Sequence, residues 1–147
     1  MEKTQNYSNH TRWFPLMHFV IMPLLLLNLI EHVVRIFLAN GAERWEQAFW
    51  SLFGVVLILL AIAARLQALK AQDRVIRLEE RLRYKEILSQ DLAQRASNLS
   101  VGQIIALRFA SDEELGDLVT QVLDGKLNTQ KEIKMAIKSW RADHLRV

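Results

Sequence analysis

Residues 48–64 read AFWSLFGVVLILLAIAA, 17 positions without a charged side chain. At ~1.5 Å rise per residue, a helix over this run nears the length needed to cross a hydrocarbon layer of ~30 Å, and helical neighbours extend it. A second run, FPLMHFVIMPLLLLNLI over residues 14–30, lies upstream. The pair predicts a two-span membrane hairpin.

Working outward from these runs, Trp13 and Phe14 suit the headgroup level, where amphipathic rings collect. Pro15 fits a helix start, whereas Pro23 removes a backbone hydrogen bond inside the span and predicts a kink. The first helix is expected to continue through Val33, Val34, Ile36, Phe37 and Leu38 until Asn40-Gly41 stops it. From 13 to 38 that is ~39 Å of helix, so it must tilt or protrude. A secretory signal is disfavoured, because this run exceeds the usual ~7 to 15 residue apolar region and Glu31, His32 and Arg35 separate it from Ala39-Asn40-Gly41.

The turn is short, and Glu43 and Glu46 sit near the positive dipole end of the second helix. Gln47, Ser51, Gly54, Ile58 and Ala61 fall on one side of that helix at ~100° per residue. Ser51, Gly54 and Ala61 are the candidate helix-packing face, since small side chains let spans approach closely in lipid. Orientation follows from cations. Arg65, Lys70, Arg74, Arg77, Arg81, Arg83 and Lys85 follow the second span and the turn holds only Arg44, which predicts both termini in the cytoplasm.

Charge divides the chain in the same place. Residues 1–64 hold four Lys/Arg and four Glu, whereas 65–147 hold fifteen Lys/Arg and twelve Asp/Glu, so the net charge of +3 belongs to the second part. Interleaved acids point to a mixed solvated surface rather than a nucleic-acid face, and no nucleic acid is expected as a partner. The chain has no cysteine, which removes disulfides, thiolate catalysis and Cys-based metal sites.

The organisation expected is a polar, loose tail over 1–12, a transmembrane hairpin over 13–64 with spans at about 13–38 and 45–65, a cytosolic stalk helix over 65–88 and a small helical domain over 89–147. Ala64, Ala68, Ala71, Val75, Leu78 and Leu82 alternate at spacings of four and three, a coiled-coil-like seam that fails at Lys85. Packing against the chain's own C-terminal helices is the favoured reading of that seam. Asp73/Arg77 and Glu79/Arg83 read as i,i+4 pairs on a solvated face. Beyond Leu88, Ser100/Gln103, Ser111/Glu114 and Thr129/Glu132 have capping-box spacing and predict three short helices, preceded by one near 90–97. The third of these four repeats Leu115, Leu118, Val119, Val122 and Leu123; the last repeats Ile133, Ile137, Trp140 and His144. The fold class is therefore all-α.

Asn28, Glu31, His32 and Arg35 share an arc of ~100° on the first helix, with His18 beside it. Ionisable residues at such depth are candidates for an ion- or proton-linked role, against which stands an ordinary interfacial Glu31/Arg35 pair. As a metal site the arc is poor, since adjacent Glu31 and His32 point ~100° apart. On the last predicted helix, Lys131, Lys134, Lys138 and Arg141 form a basic stripe that flanks an apolar face with Trp140, a candidate surface for anionic lipid or a partner. Arg108, Ser111, Asp112, Glu113 and Glu114 could be an acid/base cluster, yet a helix end and an N-cap explain every acid there. No phosphate loop, HExxH or nucleophile elbow occurs. No cofactor or metal and no enzyme activity is expected.

The stretches ARLQALKAQDRVIRLEERLR (64–83), IALRFASDEEL (105–115) and IKMAIKSWRADHLRV (133–147) resemble a family of small bacterial membrane proteins classed as a domain of unknown function. The resemblance covers nearly the whole chain. It implies two transmembrane helices with a cytosolic helical tail and a bacterial source, and it carries no activity; the localisation expected is the bacterial inner membrane. The reading is thus a non-catalytic accessory or scaffold subunit of a membrane complex or homo-oligomer, with lipid and a protein partner or a second copy as its contacts. The alternative is a small ion- or proton-linked transporter or sensor.

Overall fold

The computed structural model describes residues 5–10 and 13–143; among them it holds six α-helices and no strand, only one isolated antiparallel bridge between Ala110 and Trp140. The chain forms two units, Trp13–Leu69 and a second that joins Met1–Arg12 to Lys70–Val147.

In the first unit a π-helical turn, Leu16–Ile21, leads into α1 (Met22–Leu38). Pro23 accounts for the wide turn. It has no N–H to donate to the carbonyl four residues back, and its ring crowds that carbonyl; an extra residue per turn relieves the clash. The Met22 N–H donates to the Met17 carbonyl instead, five residues back. The distortion expected at Pro23 therefore takes the form of a π segment just before it.

Ala39 ends α1 in an extended conformation, and Gly41 takes φ +56°, a left-handed value that glycine adopts without strain. Arg44 donates from Nε and Nη2 to the Ala39 carbonyl at 3.2 and 3.0 Å, satisfying an acceptor at the helix end. Helix α2 (Ala42–Ile87) follows and runs for 46 residues. Two helical stretches, Leu16–Leu38 and Ala42–Ile87, are long and apolar enough to cross a membrane; none of the apolar window of the first is buried, and 6% of that of the second. Phe19, Leu24, Leu27, Phe37, Leu52, Leu59 and Leu60 are each more than half exposed.

The second unit is built differently. Its helices α3 (Gln90–Ala96), α4 (Val101–Leu107), α5 (Asp112–Leu123) and α6 (Gln130–Ala136) enclose fully buried Ile104, Leu107, Phe109, Leu115, Val119 and Ile133, and Tyr84 of α2 joins that core. The Ser100/Gln103 and Thr129/Glu132 boxes are formed, each side chain covering the other's backbone amide. The Ser111/Glu114 box is not. Glu114 instead accepts from the backbone N–H groups of Lys138 and Ser139, at 3.1 Å each, and so ties the C-terminal segment to the start of α5.

That tie goes with an early end to the last helix. Ile137 is extended, the Ser111 N–H donates to the Ser139 carbonyl at 3.0 Å, and the Arg141 N–H donates to the Phe109 carbonyl at 2.8 Å. Residues 109–111 thus supply partners that further helical turns would otherwise have to provide, so the extended form competes with continuation. Helix α6 stops at Ala136 and does not reach Trp140; His144 lies outside the described residues.

Two further expectations are corrected. Residues 5–10 are not a free tail: the His10 ring lies 5.8 Å from that of Phe109 and 5.9 Å from that of Trp140, and the Asp143 N–H donates to Gln5 Oε1 at 2.8 Å. The seam of α2 does not pack on the C-terminal helices. Val75, Leu78 and Leu82 are 54%, 62% and 53% exposed, while Ile76, Glu80, Arg83 and Tyr84 are the buried residues of this stretch.

Candidate functional site

Helix α1 splits the polar arc in two. His32 is half-buried, with Nδ1 2.8 Å from Gln47 Oε1 and its ring stacked on Trp50 at 6.2 Å. Glu31 and Arg35 point elsewhere and form an i,i+4 pair at 2.8 Å, with both side chains more than half exposed. Asn28 Oδ1 and Leu29 lie close to Gly54, at 3.8 Å and 3.5 Å from where a Cβ would stand. Asn28 and His32 border a shallow open cleft with Leu24, Leu25, Trp50, Phe53 and Leu57. Gln47 and Ser51 are buried, Gly54 is buried, and Ala61 is half-buried. Helical spacing explains the split, because Asn28 and His32 are one turn apart on one line while Glu31 and Arg35 follow the next.

The four basic residues do not make one helical stripe, since α6 ends before two of them. Lys131 is exposed on α6. Lys134 Nζ lies 3.1 Å from His10 Nε2 and 5.6 Å from the centre of the Phe109 ring. Lys138 is held by its backbone to Glu114, and Arg141 donates to Glu80 Oε1 at 3.3 Å. Trp140 packs on Phe109 at 4.9 Å between ring centres.

The densest polar constellation joins Arg108 and Asp112, two members of the acid/base cluster weighed from sequence, to Glu80 and Arg83, which the sequence reading left out of any site. On the inward face of α2, Arg83 donates to Glu80 Oε2 at 3.1 Å, to Asp112 Oδ1 at 2.8 Å and to the Ala110 carbonyl at 2.7 Å. Arg108, 5% exposed, donates to Asp143 Oδ2 at 2.9 Å and to the Ile105 carbonyl at 2.8 Å, and its guanidinium sits 4.1 Å from the centre of the Phe109 ring. Burial pushes the Glu80 carboxyl above its ordinary range, and Arg83, Arg141 and Arg108 offset this only in part. The Tyr84 hydroxyl is also pushed up, first by burial and then by Glu80. Among the described residues this hydroxyl has no hydrogen-bond partner.

Ile76, Glu80, Arg83 and Tyr84 recur at helical spacing, but a pattern carried by Glu and Arg reads as a solvated face. The expected Glu79/Arg83 and Asp73/Arg77 pairs are absent among the described residues because Arg83 turns inward to Glu80 and Asp112, and no salt bridge joins Asp73 to Arg77.

An open cleft of about 670 Å³ borders this network, with Gln72, Glu80, Arg83, Arg108, Asp112 and Arg141 on its wall. Among the described residues its charged lining consists of Glu, Asp and Arg, with no Ser, Cys, Lys or His. Among the described residues no group of three or more His, Asp or Glu could hold a metal ion. Two buried guanidinium groups tie α2, the 108–112 segment and Asp143 together.

The family model described as "Family of unknown function (DUF6526)" matches residues 1–147. No curated protein and no solved structure matches the chain.

Proposed function

The chain belongs to the DUF6526 family, a family of unknown function, and on that premise we propose that it is a two-span inner-membrane protein of a bacterium. It serves as a non-catalytic accessory or scaffold subunit that presents its C-terminal helical domain to the cytoplasm. One observation carries this reading. Large apolar side chains such as Phe19, Leu27, Phe37 and Leu60 face outward around two consecutive helices, where a water-soluble chain rarely leaves contiguous apolar patches above a few hundred Å². Lipid is the solvent that makes such a surface favourable.

The orientation rests on the seven cations that follow the second apolar run, against Arg44 in the turn. A scaffold role is favoured over an enzyme because the buried ions Glu80, Arg83 and Arg108 are each paired with a counter-ion. The ion- or proton-linked role of Asn28, Glu31, His32 and Arg35 is the weaker reading, because Glu31 and Arg35 form an exposed pair turned away from His32.

Reporter fusions and alkaline extraction test the proposal. The full chain should stay with the membrane pellet at high pH. A reporter fused after Val147 should be active only in its cytoplasmic form, and one inserted at Gly41 only in its external form. Release of the chain into the alkaline supernatant, or the reverse reporter pattern, would overturn the reading.

A further inference from the structure

Along Lys70–Ile87, helix α2 has two unlike faces. Ile76, Glu80, Arg83 and Tyr84 turn inward; about 145° away by the helical repeat, Val75, Leu78 and Leu82 are left exposed. Three large aliphatic residues at a spacing of three and four are costly to leave in water, and Ala64, Ala68 and Ala71 continue the same register in sequence. Two open clefts border the exposed line, one lined by Val75, Glu79 and Glu86, the other by Leu78, Arg81 and Lys85; Leu82 lines both. Among the described residues the face is therefore uncovered.

The flanking charges say what covers it. With Val75 and Leu82 at a positions and Leu78 at d, Glu79 and Glu86 take e positions and Arg74 and Arg81 take g positions, all of them exposed. In a parallel, in-register pair each g residue meets the e residue five positions on in the partner helix. That places Arg74 against Glu79 and Arg81 against Glu86 of the second copy, two attractive pairs in each direction. An antiparallel pair sets g against g and e against e, Arg against Arg and Glu against Glu, which is repulsive.

We propose that the exposed seam of α2 is the self-association surface of this protein, closed by the same seam of a second copy running parallel and in register. The proposal deepens the scaffold reading and rests on it in one respect: insertion in one membrane orientation makes parallel the only available arrangement. Confinement to the membrane also raises the effective concentration, which offsets the shortness of the seam. Arg81 donates to the Ser97 carbonyl at 3.2 Å at an exposed site, so Arg74 and Glu79 are the cleaner pair to alter. Lys85 at the next d position ends the seam with a like charge from each copy.

The chain has no cysteine, so single-cysteine variants of the full protein report directly. Val75→Cys and Leu78→Cys, oxidised in native membranes, should each yield a disulfide-linked dimer as the main product. Lys131→Cys, exposed on α6, should yield roughly tenfold less. Within the Leu78→Cys background, Glu79→Arg or Arg74→Glu alone should cut dimer formation by roughly tenfold, as two attractive pairs become two repulsive ones; co-expression of the two variants should restore it as mixed dimer. Monomer only at positions 75 and 78, or dimer yields indifferent to charge, would overturn the proposal. The two readings fail separately. A chain held by the membrane at high pH that never crosslinks at the seam defeats this inference and leaves the membrane reading; a crosslinked chain released by alkali does the opposite.

Discussion

The two units of this protein follow opposite rules about what to hide. In Trp13–Leu69 the large apolar side chains face outward and the buried residues are Ala39, Gln47, Ser51 and Gly54; in the unit containing α3 to α6 the apolar residues are inside, and Glu80, Arg83 and Arg108 are buried with them. On the proposed membrane reading, each pattern minimises free energy in a different solvent. Water rewards enclosure of Leu and Phe, whereas lipid is indifferent to them and leaves packing of small residues and pairing of polar ones to hold helices together. Within the second unit the buried ions obey the other half of the rule, since each has a hydrogen-bonded counter-ion.

The strongest way to break this comparison is the same deletion in both places. Leu107→Ala removes a fully buried side chain and should cost ~2 to 5 kcal/mol of unfolding free energy. Leu27→Ala, at a position 63% exposed, should cost under ~0.5 kcal/mol for the protein in lipid. Denaturant titration of the full chain in bilayer mimetics, followed by helix content, measures both. Similar losses at the two sites would mean that Leu27 is covered by protein, and that the outward face of the hairpin is an interface rather than a lipid surface.

An effect of similar size is expected from Arg83→Met, which leaves Glu80 with Arg141 as its remaining counter-ion and deprives Asp112 and the Ala110 carbonyl of the Arg83 donor. Removing one member of a buried pair costs ~3 to 5 kcal/mol, whereas replacing both by apolar residues is often neutral. The double variant Glu80→Met/Arg83→Met should therefore be more stable than Arg83→Met alone. A double variant no better than the single one would show that Arg83 acts mainly through Asp112 and the Ala110 carbonyl.

The same residue gives the comparison a pH dependence. The folded carboxyl of Glu80 is raised by burial above its unfolded value, so the folded state binds this proton more tightly. Its contribution is present below the ordinary carboxylate range and is lost as pH rises through the raised folded value. Measured against wild type, Glu80→Gln should gain relative stability as pH rises from the ordinary carboxylate range through the raised folded value, because glutamine has no proton to lose. A difference that stays flat across that range would place the charge of Glu80 in better solvation than its burial implies.

How far the sequence carries follows from the same contrast. Both apolar helices, the short turn and the positions of the four C-terminal helices are legible, because apolar periodicity and local capping signals determine them. The inward turn of Glu80 and Arg83 was not, since a Glu-Arg-rich helix face normally belongs to water; Arg108 and Asp112 were legible only as a possible cluster of their own, because their partners Asp143 and Arg83 are remote in sequence. The end of α6 escaped for a related reason: Trp140 fits a helical repeat, but the competing partners of its backbone lie in residues 109–111, remote in sequence. The contacts of residues 5–10 are equally non-local. Of the residues weighed as a site, the polar arc kept its positions but lost its unity, and the basic stripe was dispersed by the early end of α6.

Helix approach in the hairpin offers a middle-sized test. An added Cβ at Gly54 would meet Leu29 and Asn28 at 3.5 to 3.8 Å, ordinary contact distances, so Gly54→Ala should be tolerated. Gly54→Leu has no such room on that side and should cost ~1 to 3 kcal/mol, read as a fall in the denaturant midpoint of the hairpin helices in bilayer mimetics. Equal behaviour of the two variants would mean that the helices separate at Gly54 without penalty.

The smallest effect belongs to Glu31→Gln. Glu31 and Arg35 form their pair at 2.8 Å with both side chains more than half exposed, the setting in which an ion pair contributes ~0.2 to 1 kcal/mol and long side chains relax at little cost. His32, one residue on, keeps its contacts to Gln47 and Trp50 whatever happens to Glu31, since it lies on the other side of the split arc. Protein level and stability of Glu31→Gln should then match wild type within about 1 kcal/mol, and so should the membrane's proton and cation permeability with and without the protein. Stability that holds while an ion flux disappears would show that Glu31 has a role its exposure does not suggest, and would move the transporter reading ahead of the scaffold.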